Sequence, residues 1–211
     1  MLQDTLNSRR RYPSSIGIGI PDLLPQIFSL PAVVPPLLKY RSLAPASQIA
    51  ASLCHFFLYD SYFESCWTHS ARAVSHVRRF WGTLTPDFSM YVGWPLAMQV
   101  WNCYRSRWVG RFWQEQGLRV IPTVNWSTPA SYGWCFAGIP PQQVVAVGVP
   151  DLRRPVTRIL FSLGYRRMLQ EIDPLAVLVY GELPFYCPRA IEFQPDVVAM
   201  RRRLFSSLGA S

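Results

Sequence analysis

Between residues 55 and 180 the sequence alternates short apolar runs with longer segments that have helical spacing. The apolar runs, each typical of a buried strand, cover residues 55–59, 82–89, 118–126, 144–149 and 175–180. The helical segments cover residues 69–80, 96–116 and 156–172. Strands that alternate with helices are typical of βαβ units, in which successive strands run parallel to one another. This alternation restricts the chain to a small set of architectures.

The fold class that follows is α/β, with a mostly parallel sheet made of consecutive βα units. Five clear strands are fewer than the eight of a complete barrel. We therefore expect either an open sheet or an incomplete barrel that resembles a TIM barrel. Pro122 lies near the end of the third run and favours an edge position or a bulge there, because proline cannot donate a ladder hydrogen bond.

The segments on either side of this alternation differ from it in composition. Residues 1–50 are rich in Pro and Ser, which predicts an arm of short extended pieces packed on the domain. Residues 16–38 are apolar, but Asp22 and five prolines are incompatible with a membrane-spanning helix, so no membrane contact is expected. The domain itself is expected over residues 51–190. Residues 191–211 predict a tail or a short helix, with an amphipathic pattern near its end.

The charge and the cysteines bear on partners and location. The formal net charge is +9, and every basic residue except Lys39 is arginine. Arginine forms bidentate pairs with phosphate and stacks on bases, so one interpretation is a nucleic-acid partner, and the other is a merely solvated surface. The five cysteines are scattered and include no CxxC pair, which indicates neither a disulfide framework nor a zinc ribbon. A reduced, cytoplasmic setting is therefore expected.

Polar side chains follow the predicted strands at the points where the strands end. These side chains are Asp60, Asp87 with Ser89, Thr123 with Asn125, and Glu182. Because the carboxyl ends of parallel strands meet at one edge of the sheet, we expect these groups to converge there. Paired carboxylates can hold Mg²⁺ for phosphoryl chemistry, or they can divide acid and base roles in sugar-bond cleavage. The alternative is that polar residues collect at strand ends only because chains turn there.

These considerations give each candidate residue a role. The expected catalytic residues are Asp87, Asp60 and Glu182, with Asp87 and Asp60 also serving as ligands of a divalent metal such as Mg²⁺. The expected substrate-binding residues are Ser89, Asn102, Arg105, Arg107 and Asn125. Asn102 and Arg105 are three residues apart on the long helix and share one face, from which Arg105 can reach a phosphate. A structural Arg105–Asp87 ion pair is the alternative.

Several segments also stand in the order of a known family. They are PDFS at 86–89, NCYRSRWVG at 102–110, VIPTVNW at 120–126 and SYGWCFAGIP at 131–140. These motifs resemble a domain of unknown function found in bacterial, phage and mobile-element proteins. The chain departs from that pattern after its first strand, where Tyr59 and Asp60 replace two adjacent acidic residues. The resemblance implies a phage or mobile-element context and no established activity.

Three functions remain open at this level. The first is a metal-dependent enzyme that acts on nucleic acid or nucleotides, suggested by acidic strand ends in a basic chain. The second is a non-catalytic nucleic-acid-binding or regulatory module, suggested by the arginine and aromatic side chains. The third is a hydrolase of glycosidic bonds, suggested by the carboxylates among tryptophans.

Overall fold

The computed structural model of the chain describes residues 4–26, 31 and 33–195. Its strands are β1 Leu37–Lys39, β2 Leu53–His55, β3 Gly82–Leu84, β4 Val120–Ile121, β5 Val144–Gly148, β6 Ala176–Tyr180 and β7 Ala190–Phe193. Its α-helices are α1 Ala46–Ala50, α2 Ser65–Thr68, α3 Ser70–Val77, α4 Leu96–Glu115, α5 Tyr132–Cys135 and α6 Pro155–Ile172. Single 3₁₀ turns cover Asp60–Tyr62 and Pro129–Ser131.

All the strands run parallel, and their spatial order is their order in the chain. One sheet contains β1 to β4 and the other contains β5 to β7. A single parallel bridge between Thr123 and Ala146 connects the two sheets. It is reinforced by two backbone hydrogen bonds of 2.8 Å, from Val124 N to Ala146 O and from Ala146 N to Pro122 O. The parallel α/β class predicted from the sequence is therefore confirmed.

The two sheets curve toward each other. Neighbouring strands lie about 4.8 Å apart, so in a flat arrangement β2 and β6 would be separated by about 19 Å. The rings of His55 on β2 and Tyr180 on β6 nevertheless approach to 4.7 Å between centroids. The strands therefore wrap around a shared interior, as in an incomplete barrel. Among the described residues no strand pairing closes the gap between β7 and β1.

The helices cover the outside of this arrangement. On β5, Val145 and Val147 belong to the cluster that contains Phe161 of α6, whereas Ala146 belongs to the cluster of the shared interior. The strand thus buries both faces, as expected for parallel strands with helices outside. Helix α4 packs on the first sheet through Trp108 and other apolar side chains. No helix in the described ranges is both long enough and apolar enough to cross a membrane.

The segments outside the predicted domain contribute to the fold. The Pro-rich segment predicted as an arm supplies β1 and α1, and the start of the predicted tail belongs to β7. These three elements escape periodicity analysis because they are only three to five residues long. The short helix predicted over residues 201–208 lies outside the described residues.

The strands of the first sheet are shorter than predicted. The run 82–89 contains only the three residues of β3, and the run 118–126 contains only the two residues of β4. Side chains then replace the ladder: Thr123 N donates to Thr85 Oγ1 at 2.9 Å, and Thr123 Oγ1 donates to Thr85 O at 2.7 Å. The backbone remains extended, but hydroxyl groups now satisfy part of its hydrogen bonding.

Candidate functional site

A cavity of about 850 Å³ opens at the carboxyl ends of the strands. Residues at or just beyond the ends of six strands contribute to its lining: Lys39, Phe57, Asp87, Asn125, Gly148 and Tyr180. This is the edge at which parallel α/β proteins bind ligands. Its volume falls within the range of small-molecule sites.

Asp87 is the only carboxylate among the described residues that line the cavity. Its Oδ1 accepts a hydrogen bond of 2.9 Å from Asn125 Nδ2, and the same amide nitrogen donates to Phe88 O at 2.9 Å. Burial, followed by the negative charge of Asp60, raises the pKa of Asp87 to about 7, although the Asn125 hydrogen bond opposes the rise. Both protonation states of Asp87 are therefore accessible near neutral pH.

Asp60 lies outside the cavity lining and forms hydrogen bonds with the segment that carries Asp87. Its carboxylate accepts from Ser89 Oγ at 2.8 Å and from Ser89 N at 3.2 and 3.3 Å. Ser89 itself lines the cavity, but Asp60 does not. Asp60 and Asp87, the two carboxylates predicted to act together, therefore have different surroundings. Asp60 accepts hydrogen bonds from Ser89, whereas Asp87 faces the cavity.

Helix α4 supports the same segment from the other side. Asn102 Nδ2 donates to Ser89 O at 2.7 Å, and Arg105 donates to Asn102 Oδ1 at 2.7 Å. Arg105 also forms an ion pair with Glu64 at 2.6 Å and lies 3.9 Å from the centre of the Phe88 ring. The ion pair of Arg105 is therefore with Glu64 rather than with Asp87. Asn102 and Arg105 contact protein groups behind the cavity wall instead of lining the cavity.

Two of the predicted residues lie away from the cavity. Arg107 is buried, and its guanidinium donates to the carbonyl oxygens of Ala137, Thr123 and Cys135 at 3.0 to 3.1 Å. A guanidinium held in this way presents no free face to a substrate. Glu182 is exposed two residues beyond β6 and is not among the lining residues. The structure thus brings Asp87, Ser89 and Asn125 to the cavity, with Asp60, Asn102 and Arg105 as their support.

Aromatic side chains that the sequence did not single out form much of the wall. Phe57 and Tyr180 stack with their centroids 4.9 Å apart and their planes 16° apart. A Cβ atom at Gly148 would lie 2.8 Å from the Phe57 ring, so glycine is needed there to admit this ring. Trp126, also in the lining, donates from Nε1 to Leu160 O on α6 at 3.2 Å. The position of Phe57 just after β2 could have indicated that it lines the cavity. Its stacking partner, Tyr180, is far away in sequence and could not be identified in this way.

The β1 side of the cavity contributes Lys39 and Arg41, which were not predicted either. Lys39 is the only lysine of the chain, which is visible in the sequence, but the sequence does not show that Lys39 lines the cavity. The described residues contain no group of three or more His, Cys, Asp or Glu side chains able to hold a metal ion.

The fold and the position of the cavity define the class of this molecule. It is an α/β protein of parallel βα units with a cavity at the carboxyl ends of its strands. The chain belongs to the family described as "Domain of unknown function (DUF4417)", whose pattern matches residues 12–195. That match includes every strand and every motif segment described above.

Two relatives place the family in phages. The chain is 40% identical over 181 residues to the "Gene 1 protein" of Mycobacterium phage L5, a match that covers 85% of this chain and 78% of that protein. It is also 40% identical over 187 residues to the "Gene 1 protein" of Mycobacterium phage D29, covering 87% of this chain and 67% of the relative. The phage family inferred from the motifs is therefore confirmed. No solved structure matches the chain significantly.

Proposed function

We propose that this protein is an enzyme that binds a nucleotide, free or within a nucleic acid, in the cavity and transfers a proton through Asp87. The observation that carries the proposal is the Asp87 carboxyl group, which faces the cavity with a pKa raised to about 7. An acid–base catalyst is most effective when its pKa lies near the working pH. Buried carboxyl groups with raised pKa values also concentrate at active sites.

The surroundings of Asp87 support the assignment of its role. Asn125 fixes the orientation of the carboxyl group by donating to Oδ1, which leaves Oδ2 to face a ligand. Asp60 cannot take the same role as readily, because its oxygen atoms already accept hydrogen bonds from Ser89. Its charge instead raises the pKa of Asp87. Two neighbouring carboxylates thereby acquire different tasks, one reactive and one positioning.

The aromatic lining and the charge of the chain support the substrate class. Seven aromatic side chains line the cavity: Tyr40, Phe57, Tyr59, Tyr62, Tyr91, Trp126 and Tyr180. Stacking of a base on an aromatic ring contributes about 1–3 kcal/mol without requiring a particular base. A net charge of +9 favours the approach of a phosphate-bearing partner.

The other two hypotheses are less well supported by this geometry. Hydrolysis of a glycosidic bond with two carboxyl groups needs a second one facing the substrate, and the described lining supplies Asp87 alone. A divalent metal would have Asp87 as its protein ligand and would be shared with substrate phosphates, as Mg²⁺ often is. The proton transfer is assigned to Asp87 alone, and turnover is compared below with Mg²⁺ and with EDTA.

The test is a turnover screen with the full chain. Nucleosides, nucleotides and short single-stranded DNA and RNA are incubated between pH 5 and pH 9, with Mg²⁺ or with EDTA, and products are identified by chromatography and mass spectrometry. The wild-type protein is expected to form a product, and Asp87→Asn is expected to lower the rate by about 100-fold or more. Glu171→Gln removes an exposed carboxylate on α6 and is the matched control. Equal rates for Asp87→Asn and wild type would contradict the proposal.

A non-catalytic nucleic-acid-binding module is the second candidate, because the aromatic lining and the net charge suit binding without chemistry equally well. It predicts that oligonucleotides bind with an affinity that falls steeply as salt rises, while no product forms under any condition. The same screen therefore separates the two candidates.

A further inference from the structure

Two cations stand on the β1 side of the cavity. Lys39 is the last residue of β1, and Arg41 follows two residues later; both are exposed and both line the cavity. Lys39 pairs in register with His55, which places the two side chains on the same face of the sheet. The ion pairs found within the described ranges involve neither cation. Two positive charges at one wall of a cavity are therefore not neutralised by neighbouring carboxylates.

The backbone of Arg41 is strained, and two hydrogen bonds keep it in that conformation. Its φ of 60° lies in the left-handed region, which costs a non-glycine residue about 1 kcal/mol or more. The conformation is held by two contacts: Arg41 N donates to His76 Nε2 at 3.1 Å, and Arg41 Nη2 donates to Ser65 Oγ at 3.1 Å. Strain of this kind persists only where surrounding contacts enforce it, and it is common at ligand-binding sites.

The contacts of Arg41 leave part of its guanidinium available. Nη2 donates to Ser65 Oγ, and the guanidinium also contacts Tyr40, whose ring centre lies 5.5 Å from its central carbon and whose hydroxyl group hydrogen-bonds with the Arg41 side chain. A guanidinium has five N–H donors, so these two neighbours leave donors for a ligand. His76 must be neutral to accept from Arg41 N, and burial, followed by the charges of Arg79 and Arg41, lowers the pKa of His76 and so favours that state. The hydrogen bond from Arg41 N to His76 Nε2 is therefore present at neutral pH.

We infer that Lys39 and Arg41 form a subsite for a phosphate monoester in the cavity. This inference rests on the proposed function, and it specifies the substrate as a nucleotide with a terminal phosphate. Arginine and lysine are the residues that recognise phosphate, and two cations match a group that carries about −1.5 to −2 charges at neutral pH. A phosphodiester carries one charge and matches this pair less well.

The subsite divides the cavity into three parts. The β1 side binds the phosphate, the stacked rings of Phe57 and Tyr180 offer a flat apolar surface to a base, and Asp87 with Asn125 supplies the polar groups of the β3 and β4 side. A nucleotide has the three matching parts. The monoester can belong to a free nucleotide or to the phosphorylated end of a strand, and the experiment includes both.

The test compares ligands that differ only in the phosphate group. Binding of nucleoside 5′-monophosphates, of the matching nucleosides, and of short single strands with and without a terminal phosphate is measured by calorimetry. The wild-type protein is expected to bind the phosphorylated member of each pair at least about tenfold more tightly, since a hydrogen bond to a charged group contributes about that factor. Preference within the strand pair identifies strand ends as a source, and preference only within the nucleotide pair identifies free nucleotides.

Two substitutions locate the effect. Arg41→Gly removes the guanidinium and also relieves the left-handed backbone, so a folded protein is expected. Lys39→Met removes the ammonium and keeps most of the side-chain length. Each variant is expected to lose about tenfold in affinity for the monophosphate and to keep its affinity for the nucleoside. Arg166→Ala on α6 removes one exposed positive charge away from the cavity and should retain the full preference.

The outcomes separate the subsite from the catalytic proposal. Equal affinities for monophosphates and nucleosides in the wild type, absence of monophosphate binding, or an unchanged preference in the Lys39→Met/Arg41→Gly double variant would each overturn the subsite. The preference is expected to persist in Asp87→Asn, because Asp87 is not part of the subsite. A preference without turnover would support the subsite and contradict the catalytic role, whereas turnover without a preference would do the reverse.

Discussion

The two sheets are built by different means. Strands β1 to β4 are two or three residues long, whereas β5 to β7 are four or five. In the second sheet a regular backbone ladder holds the strands, and the side chains of β5 and β6 are almost all aliphatic. In the first sheet the ladder ends early, and side chains such as Thr85 complete the hydrogen bonding of the extended chain.

This difference explains why the polar groups of the cavity lie on one side of it. A backbone that leaves its ladder early must be satisfied by polar side chains, and those side chains fix neighbouring groups in one orientation. Ser89, Asn102 and Asp60 hold the segment after β3 in this way and so position Asp87. The second sheet contributes a wall, including Gly148 and Tyr180, but no carboxylate to the described lining. The first sheet supplies the carboxylate of the cavity lining, and the second sheet supplies part of its apolar surface.

The strongest test of this comparison is Arg107→Met. Arg107 connects the chain after β4 to the α5 segment through three carbonyl oxygens. Methionine would remove the donor of Ala137 O and Thr123 O and would leave Cys135 O with only the weak thiol donor of Cys103 at 3.9 Å. A buried carbonyl group that loses its donor costs about 1–3 kcal/mol, so a variant that affects several of them is expected to unfold at a much lower denaturant concentration. Met168→Leu in α6 is the matched control in the second sheet's core, where a volume-conserving change should cost less than about 1.5 kcal/mol. Similar losses in the two variants would contradict the distinction between the sheets.

Asp87→Asn tests the free-energy cost of placing a carboxyl group in the cavity wall after β3. Because the pKa of Asp87 is raised from 3.8 to about 7, the folded protein holds this proton more tightly than the unfolded chain does. The contribution of Asp87 to stability is therefore lost as pH rises from about 4 to about 7, and the loss is constant above that. Asparagine cannot ionise and removes this loss.

The expected result is a variant that is more stable than wild type at pH 8, by on the order of 2 kcal/mol after allowance for solvent in the open cavity. At pH 3.5 the two proteins should have nearly the same free energy of unfolding, because Asp87 is protonated when folded and largely protonated when unfolded. Denaturant titrations at both pH values measure the difference. A gap of equal size at both pH values would mean that ionisation of Asp87 is not its cause.

The same contrast governs what the sequence predicted. The second sheet follows the simple rule that apolar runs are strands, and its runs 144–149 and 175–180 match β5 and β6 to within one residue at each end. The long helices α4 and α6 also match to within one residue, since their apolar periodicity is sustained over many turns. In the first sheet the run 82–89 was correct as extended chain but too long as a strand, because Thr85 takes over the hydrogen bonding.

The lining of the cavity was predictable where it depends on strand ends and unpredictable where it depends on contacts between residues distant in sequence. The expectation that strand ends meet led to Asp87, Ser89 and Asn125, which all line the cavity. Residue type alone could not show that the arginines of α4 are occupied by protein groups. Lys39 and Arg41 were missed because β1 is three residues long within a Pro-rich segment, where no periodicity can be detected.

The smallest expected effect concerns a contact between the chain after β4 and helix α6. Trp126, after β4, packs against α6 at Gly164, where a Cβ atom would lie 2.0 Å from the indole Nε1. In an unobstructed helix, replacing glycine with alanine stabilises the protein by about 1 kcal/mol. Here the added methyl group must displace the Trp126 ring, and overpacking costs about 1–3 kcal/mol.

Gly164→Ala is therefore expected to destabilise the protein by about 1 kcal/mol and to change the Trp126 contribution to fluorescence, whereas Gly133→Ala in α5 provides the matched control. Nothing lies within 4 Å of a Cβ atom at Gly133, so alanine there should be neutral or stabilising. The sign of the change in the free energy of unfolding is decisive. If Gly164→Ala stabilised the protein, Trp126 would not be packed against Gly164 of α6. The position of the cavity wall after β4 would then not depend on the packing of Trp126 against α6.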